Sequence, residues 1–483
     1  MAGQFTGIKS FGAYIPLRRI QRVAIAAAHD WSFPALKGLG KGERSMCNWD
    51  EDVITMAVEA GRDCLRDAEC ASINGLVLAS TTAPYADINN AVLVNAALRL
   101  AGDAAANEAA GSTRAGLSAV IAACRGGHGQ QLVVASEKRT GKPGSTQEMQ
   151  LGCGAGALLV GQGDDVIAEF LGAETVSTPF ISSFRAASEK FDYGWEERWI
   201  RDEGIAGLVP GAVKRLLQRL NLDAASIAYF GMSGGPVGGD KLVAKAVKIA
   251  PEKLLPDLQA NVGDCGTAHP VLLLISALER ASTGDVIVVV SFAQGCEVAA
   301  FRMRQPSTVP GRRGLAGSIA QRIEESSYVK FLSFEGHVAI DWGMRAETDG
   351  KTALTQLYRA ADQIFGFVGG KCRECGAVQF PRLPACVNCA AVDAQDPYGL
   401  VDEPAKVATY TADWLMYTPA PPMYVGLVQF DAGARVLMEM VDVGPAGIDV
   451  GTPLSMTFRI KERDAERHFD RYFWKAVPLI DHP

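Results

Sequence analysis

Six short apolar runs set what this chain can fold into. INGLVLAS (73–80), QQLVVAS (130–136) and GALLVG (156–161) form one series, and IAYFGMS (227–233), DVIVVVSF (285–292) and EVAAFRM (297–303) a second. Runs of this length that stay apolar almost throughout predict strands buried on both faces rather than strands with one wet side. Between and before them lie DVITMAVEAGRDCLRDA (52–68), GLSAVIAACRGG (116–127) and PVLLLISALERA (270–281), whose apolar residues recur at helical spacing. This alternation predicts a layered α/β domain with mostly parallel strands. The two series run in the same order, which predicts a duplicated α/β half.

After FRMRQPSTVPGRRGLAG the character changes, with Pro306, Pro310 and several glycines and arginines marking a linker. Residues 318–366 read as helical hairpin material. From Val401 onward short β-type runs alternate with turn signals, and FDAGAR between two apolar runs predicts a hairpin. The expected organisation is an α/β domain over 1–304, a linker and helical hairpin over 305–366, a metal ribbon over 367–395, and a small OB-type β-barrel over 396–483.

The ribbon rests on KCRECGAVQFPRLPACVNC. Cys372, Cys375, Cys386 and Cys389 form two C-x2-C pairs ten residues apart. Each pair can turn back on itself and present two thiolates to one ion, so the four complete a closed tetrahedral zinc site. Such a site keeps no position for water and is structural. The other seven of the eleven cysteines are scattered, as reduced buried thiols are.

At 483 residues and 48% hydrophobic composition the chain can bury large cores. No stretch predicts a membrane span, and the N-terminus lacks the order of a secretory signal, so the expected compartment is the cytoplasm. The net charge is −7, and residues 372–483 carry ten Lys/Arg against fifteen Asp/Glu. An acidic barrel makes a poor groove for phosphate backbones, which argues against nucleic acid as a partner.

GIKSFGAYIPLRRI, DEDVITMAVEAGRDCL, GCGAGALLVG and NVGDCGTAHPVLLLISALERASTGDVIVVVSFAQG, spread over about residues 5–304, resemble the hydroxymethylglutaryl-CoA synthase branch of the thiolase superfamily. From about residue 325 the chain resembles zinc-ribbon/OB-fold proteins that partner thiolase-like enzymes, with a rubredoxin-like ribbon. The resemblance implies a duplicated thiolase fold of α-β-α-β-α layers, usually a homodimer, sometimes with a further enzyme subunit. It also implies an acyl-CoA substrate whose C–C bond is made or broken beside the thioester. Synthases of this family use an acylated cysteine, a glutamate and a histidine. Here Ser112 and Thr113 stand at the strand-to-helix elbow in place of the cysteine. Thr81 or Thr82 takes the place of the glutamate, and Gly231 and Met232 that of the histidine.

An alcohol without an adjacent base is a feeble nucleophile, and Ser112 reads equally well as a helix N-cap. His29 and His128 are the only histidines in the N-terminal half, and His128 lies in a helix-to-strand loop. Other groups are better placed for chemistry. NVGDCGTAHP puts Asn261, Asp264, Cys265 and His269 on one loop, where a carboxylate and an imidazole could move a proton and an amide polarise a thioester. His269 could equally be a helix-start residue. Gly295 and Cys296 stand at a strand end, as an amide donor and a base or as buried packing. Tyr85 and Tyr193 are loop aromatics able to accept a proton if their pKa falls. GGPVGGDK lacks the Lys-Ser/Thr ending of a phosphate loop, which leaves Lys241 as a CoA phosphate contact or the glycines as a turn. Three readings follow. One is a non-covalent aldol or retro-aldol reaction on a β-hydroxyacyl-CoA. A second is a condensing acyltransferase with a relocated nucleophile at Cys296 or Ser112. The third is an inactive acyl-CoA-binding scaffold.

Overall fold

The computed structural model describes residues 5–479 apart from 128, 308, 348 and 349, so His128 lies outside the described residues. All six apolar runs are strands, and all lie in one nine-stranded sheet. Along the chain these are β1 (Thr6–Tyr14), β2 (Ile73–Ala79), β3 (Ala105–Ala109), β4 (Gln130–Lys138), β5 (Cys153–Gln162), β6 (Ala168–Ser177), β7 (Ile227–Ser233), β8 (Val286–Phe292) and β9 (Gly295–Met303). Their order across the sheet is β7-β8-β9-β6-β1-β5-β4-β2-β3.

The sheet is mixed, which corrects the expectation of mostly parallel strands. Only β2/β3, β2/β4 and β7/β8 run parallel. The physical reason is visible between β8 and β9. Two residues separate them, whereas a parallel crossover needs a dozen or more. Gln294 and Gly295 take positive φ (49° and 100°) to close the reversal.

The duplication is present. β4 lies parallel to β2 and antiparallel to β5, which runs antiparallel to β1. β8 likewise lies parallel to β7 and antiparallel to β9, which runs antiparallel to β6. The two four-stranded halves meet at β1 and β6, and β3 is an added edge.

Two-sided burial follows from the alternation within each strand. On β8, Ile287 and Val289 face the core that holds α1 (Ala115–Gly126) and α4 (His269–Leu278). Val286, Val288 and Val290 face α2 (Gly207–Arg219) and α3 (Gly239–Val247). Each such side chain contributes about 1.5–3 kcal/mol on burial. α1 and α4 share one core with strands of both halves, so they form the central layer. That explains why every residue of α4 (HPVLLLISAL) is buried: a helix covered all round has no face for charges.

The chain forms two compact units. The first comprises Met1–Cys47, Met56–Val92 and Leu100–Tyr328, and the second Asn48–Thr55, Leu93–Arg99 and Val329–Pro483. The first therefore continues past residue 304. Ile323–Glu325 adds in parallel to the short strand Arg18–Gln21, and Arg313 donates to the carbonyls of Ala13 and Glu59. In place of a helical hairpin, the described residues of 328–364 hold short helices, Tyr328–Phe334, Leu354–Arg359 and Ala361–Ile364, and a 3-10 turn at Met344–Ala346.

In the second unit Val368–Cys372 is flanked by Val378–Gln379 and Gln395–Gly399. A closed five-stranded barrel follows, with strands β10 (Ala405–Asp413), β11 (Met423–Phe430), β12 (Arg435–Met440), β13 (Pro453–Asp464) and β14 (Phe469–Pro478). FDAGAR is the β11–β12 turn, with Gly433 at φ 106°. Within this unit Arg459 and Lys475 are buried beside acids of the segment Asn48–Thr55. Arg459 meets Glu51 at 2.9 Å and Asp442 at 2.7 Å, and Lys475 meets Asp50 at 2.9 Å and Glu439 at 2.8 Å. Burial alone would raise the Asp50 carboxyl, but Lys475 and Arg459 outweigh it and hold it below the usual range.

Candidate active site at the strand ends

The C-terminal ends of β2 and β4 bring four segments together. Thr81 and Thr82 follow β2, Glu137 lies near the end of β4 and Arg139 just beyond it, the loop Asp264–Ala268 precedes α4, and a small hairpin pairs Ser183–Phe184 with Tyr193–Gly194. Glu137 is fully buried and accepts from the backbone N–H of Thr81 (3.0 Å) and the hydroxyls of Thr81 (2.8 Å), Thr82 (2.6 Å) and Thr267. Thr81, Thr82 and Thr267 thus surround a carboxylate supplied by β4, the strand next to β2.

Arg139 extends this cluster. Its Nε and Nη2 donate to Asp192 Oδ2 at 3.0 and 2.8 Å, and its Nη1 lies 3.5 Å from Asp264 Oδ2. Burial would lower its guanidinium, but Asp264 and Asp192 outweigh it and keep it charged. Asp264 Oδ1 accepts from the Gly266 N–H at 2.8 Å and lies 3.7 Å from His269 Nδ1. The Cys265 N–H donates to that same Nδ1 at 3.3 Å, so the proton of a neutral imidazole sits on Nε2. Asp264 retains 23% side-chain exposure against 7% for His269, which makes it the more accessible proton acceptor.

The elbow is a true strand-to-helix turn between β3 and α1. Its helix begins at Ala115 with Arg114 at the N-cap position and no side-chain cap, so Ser112 is not the N-cap. Ser112 Oγ accepts only a long 3.5 Å hydrogen bond from Arg114 N–H, and among the described residues no imidazole or carboxylate hydrogen-bonds to it. Thr113 precedes Arg114 in the same turn. Gly116, the second residue of α1, lets the helix close on the Asp264 loop, since a Cβ there would stand 2.1 Å from the Thr267 carbonyl.

The remaining sequence candidates are placed as follows. Cys296 is fully buried in β9, and burial pushes its thiol up to about 11. Gly295 and Cys296 pair with Ser177 and Val176 of β6. Cys265 is fully buried and raised further. Asn261 is exposed at the end of a short 3-10 turn. Tyr85 is half-buried, beside Asn90, and Tyr193 is exposed on the hairpin among Phe184 and Trp195. Lys241 is exposed on α3. Its glycine loop answers a packing need: a Cβ on Gly234 would stand 2.1 Å from the Phe292 carbonyl. At Gly231 a Cβ would press on Leu255 and Leu273, so this position of β7 serves packing. Sequence reasoning missed Glu137, Arg139, Asp192 and Thr267. The one available signal was the charged ending SEKR on an otherwise apolar strand.

Cys372, Cys375, Cys386 and Cys389 have their sulfurs all within 4.8 Å of one another. Two of the pairs, Cys372–Cys389 and Cys375–Cys386, are 3.7 and 3.6 Å apart. Four thiolates at about 2.3 Å from a tetrahedral zinc stand nearly that far apart. The Ala377 N–H and the Asn388 side chain lower the Cys375 thiol while its neighbouring cysteines raise that of Cys389, as four thiols sharing protons in one cluster do. The donor set fits zinc.

Residues 359–393 match the family model described as the ChsH2 rubredoxin-like zinc ribbon domain. A hydroxymethylglutaryl-CoA synthase of Thermococcus sibiricus is 26% identical over 340 residues, covering 68% of this chain and 95% of its own. One of Caldivirga maquilingensis is 29% identical over 349 residues, covering 67% and 95%. This chain is similar to hydroxymethylglutaryl-CoA synthases. Its fold is thiolase-like: the solved structure of MvaS in complex with 3-hydroxy-3-methylglutaryl coenzyme A superposes with a TM-score of 0.57 at 16% identity, over 73% of this chain and 94% of that one. The synthase-like region is thus followed along the chain by a zinc ribbon and a barrel.

Proposed function

We propose that the protein is a synthase-like enzyme that makes or breaks a C–C bond beside an acyl-CoA thioester, by aldol or retro-aldol chemistry without an acyl-enzyme. The observation that carries this reading is the pairing of an elbow hydroxyl that lacks a base with an accessible carboxylate, Asp264, set between Arg139 and His269. In the cleaving direction Asp264 takes the β-hydroxyl proton and the Cα–Cβ bond breaks toward a carbonyl product. The electron pair passes into the thioester enolate, where the His269 Nε2–H donates to the developing oxyanion. Protonation at Cα then releases the shortened acyl-CoA. Removing such an acid–base group typically costs 10²–10⁴ in rate. The active species is a homodimer built on the thiolase-like unit, and the zinc is structural.

The similarity to synthases favours a second reading, a condensing acyltransferase with a relocated nucleophile. That reading needs a thiolate at Cys296 or an alkoxide at Ser112, and a buried thiol at about 11 is a poor start. Intact-mass spectrometry after incubation with a panel of acyl-CoAs separates the two. A stable acyl adduct on Ser112, Thr113 or Cys296 overturns the non-covalent reading. Release of a carbonyl product from a β-hydroxyacyl-CoA with no adduct supports it, and neither adduct nor turnover points to the scaffold.

A further inference from the structure

The hairpin over the site is too small to hold itself. Only Ser183–Phe184 and Tyr193–Gly194 pair within it, and an isolated two-stranded ribbon is marginal even when longer. Its polar root supplies the fixing. Asp192 is buried and held by Arg139, while Arg185 reaches Asp192 Oδ1 at 3.3 Å and donates to the Thr81 carbonyl.

Arg139 is in turn built into the catalytic loop. Gly266 sits at φ 48°, where a Cβ would stand 2.7 Å from Arg139 Cδ and 3.1 Å from Glu137 Cγ. The arginine stem therefore lies against the loop, and its planar fork is divided. The Nε/Nη2 edge binds the hairpin through Asp192, and Nη1 faces Asp264. A guanidinium is rigid, so a rotation that follows Asp192 carries Nη1 away from Asp264. A lysine, a point charge, could serve one carboxylate but not fix both.

We propose that Arg139 is a positioning residue that couples the hairpin Ser183–Gly194 to Asp264, so that the position of the hairpin sets the placement of the catalytic carboxylate. This rests on the reading of Asp264 as the acid–base group.

The test combines hydrogen–deuterium exchange with kinetics on Asp192→Asn, Arg185→Gln and Arg139→Lys. Asp192→Asn removes the charge that holds the fork. Arg185→Gln loosens the hairpin without touching Arg139 and serves if the first variant folds poorly. The expected result is faster exchange, by about tenfold or more, in residues 183–194 and in residues 263–268 together. On a β-hydroxyacyl-CoA, kcat should fall by about 10–100-fold in all three variants with KM little changed, as for a lost transition-state placement. A hairpin that loosens while residues 263–268 keep their protection overturns the coupling, as does an Arg139→Lys enzyme with unchanged kcat. If the unaltered protein turns over no β-hydroxyacyl-CoA, the proposed reaction has failed, and exchange alone still decides the coupling.

Discussion

Cys296, Ser112 and Asp264 each carry a group that could begin the reaction, and their surroundings separate them. Cys296 lies in a dry core where the charged form is disfavoured, Ser112 has no base, and Asp264 faces both a cation and solvent. Replacing Asp264 by Asn should lower turnover of a β-hydroxyacyl-CoA by about 10²–10⁴-fold in steady-state assays. Cys296→Ala should change kcat by no more than about threefold while costing about 1 kcal/mol in urea unfolding, as a small cavity does. A Cys296→Ala enzyme without activity would restore the thiol mechanism. Asp264 and His269 were legible because NVGDCGTAHP places them five residues apart on one loop. Glu137, Arg139 and Asp192 were not, because their roles exist only once β4, the hairpin and the Asp264 loop converge.

Among elements, the packing of α1 on the Asp264 loop is a tight constraint. Gly116→Ala would drive a methyl to 2.1 Å from the Thr267 carbonyl, with Ala135 Cβ at 3.2 Å on another side. Overpacking of this kind typically costs 1–3 kcal/mol, and here the strain falls on the segment that carries Asp264. Both the unfolding midpoint and kcat should drop, the latter measurable even where the protein stays folded. A second element-scale prediction concerns the helix Thr146–Gln150. Its Glu148 is buried and accepts from the Tyr328 hydroxyl at 2.8 Å and the Gly144 N–H at 2.7 Å. Burial raises its carboxyl above the usual value despite those donors. A raised carboxyl binds its proton more tightly in the folded state, so its stabilisation is present at low pH and lost as pH rises through the folded value. Wild type should therefore gain stability relative to Glu148→Gln as pH falls from neutral toward the ordinary carboxylate range, followed by urea midpoints along the way. The six strands were readable as elements because apolar runs are local. Their mixed directions were not read, although the two-residue gap between β8 and β9 already excluded a parallel crossover there.

At the scale of the whole molecule, the second unit depends on charges and on metal rather than on apolar burial alone. Asp50 compensates the buried Lys475 and Arg459, and Asp50→Asn leaves part of that positive charge unmatched. Breaking a buried pair this way costs about 3–5 kcal/mol. The barrel transition should shift by that amount in chemical denaturation, and in wild type the contribution should fade as pH drops through the lowered Asp50 value. Metal analysis should find one zinc per chain, with a chelator abolishing ribbon structure. The ribbon and barrel were evident from cysteine spacing and turn signals. That residues 48–55 supply acids to the second unit was not, since nothing in a sequence marks which distant cation an aspartate will meet.

The sulfur geometry of the ribbon has a consequence for how the protein ages. Cys372 stands 3.7 Å from Cys389 and Cys375 3.6 Å from Cys386, and all four sulfurs lie within 4.8 Å of one another. Once the ion is stripped, air oxidation would join these close thiols in pairs, and re-supplied metal would find its ligands consumed. Metal loss in an oxidising buffer is thus a one-way event, and the working lifetime of a preparation is set by how long zinc and reductant are kept together.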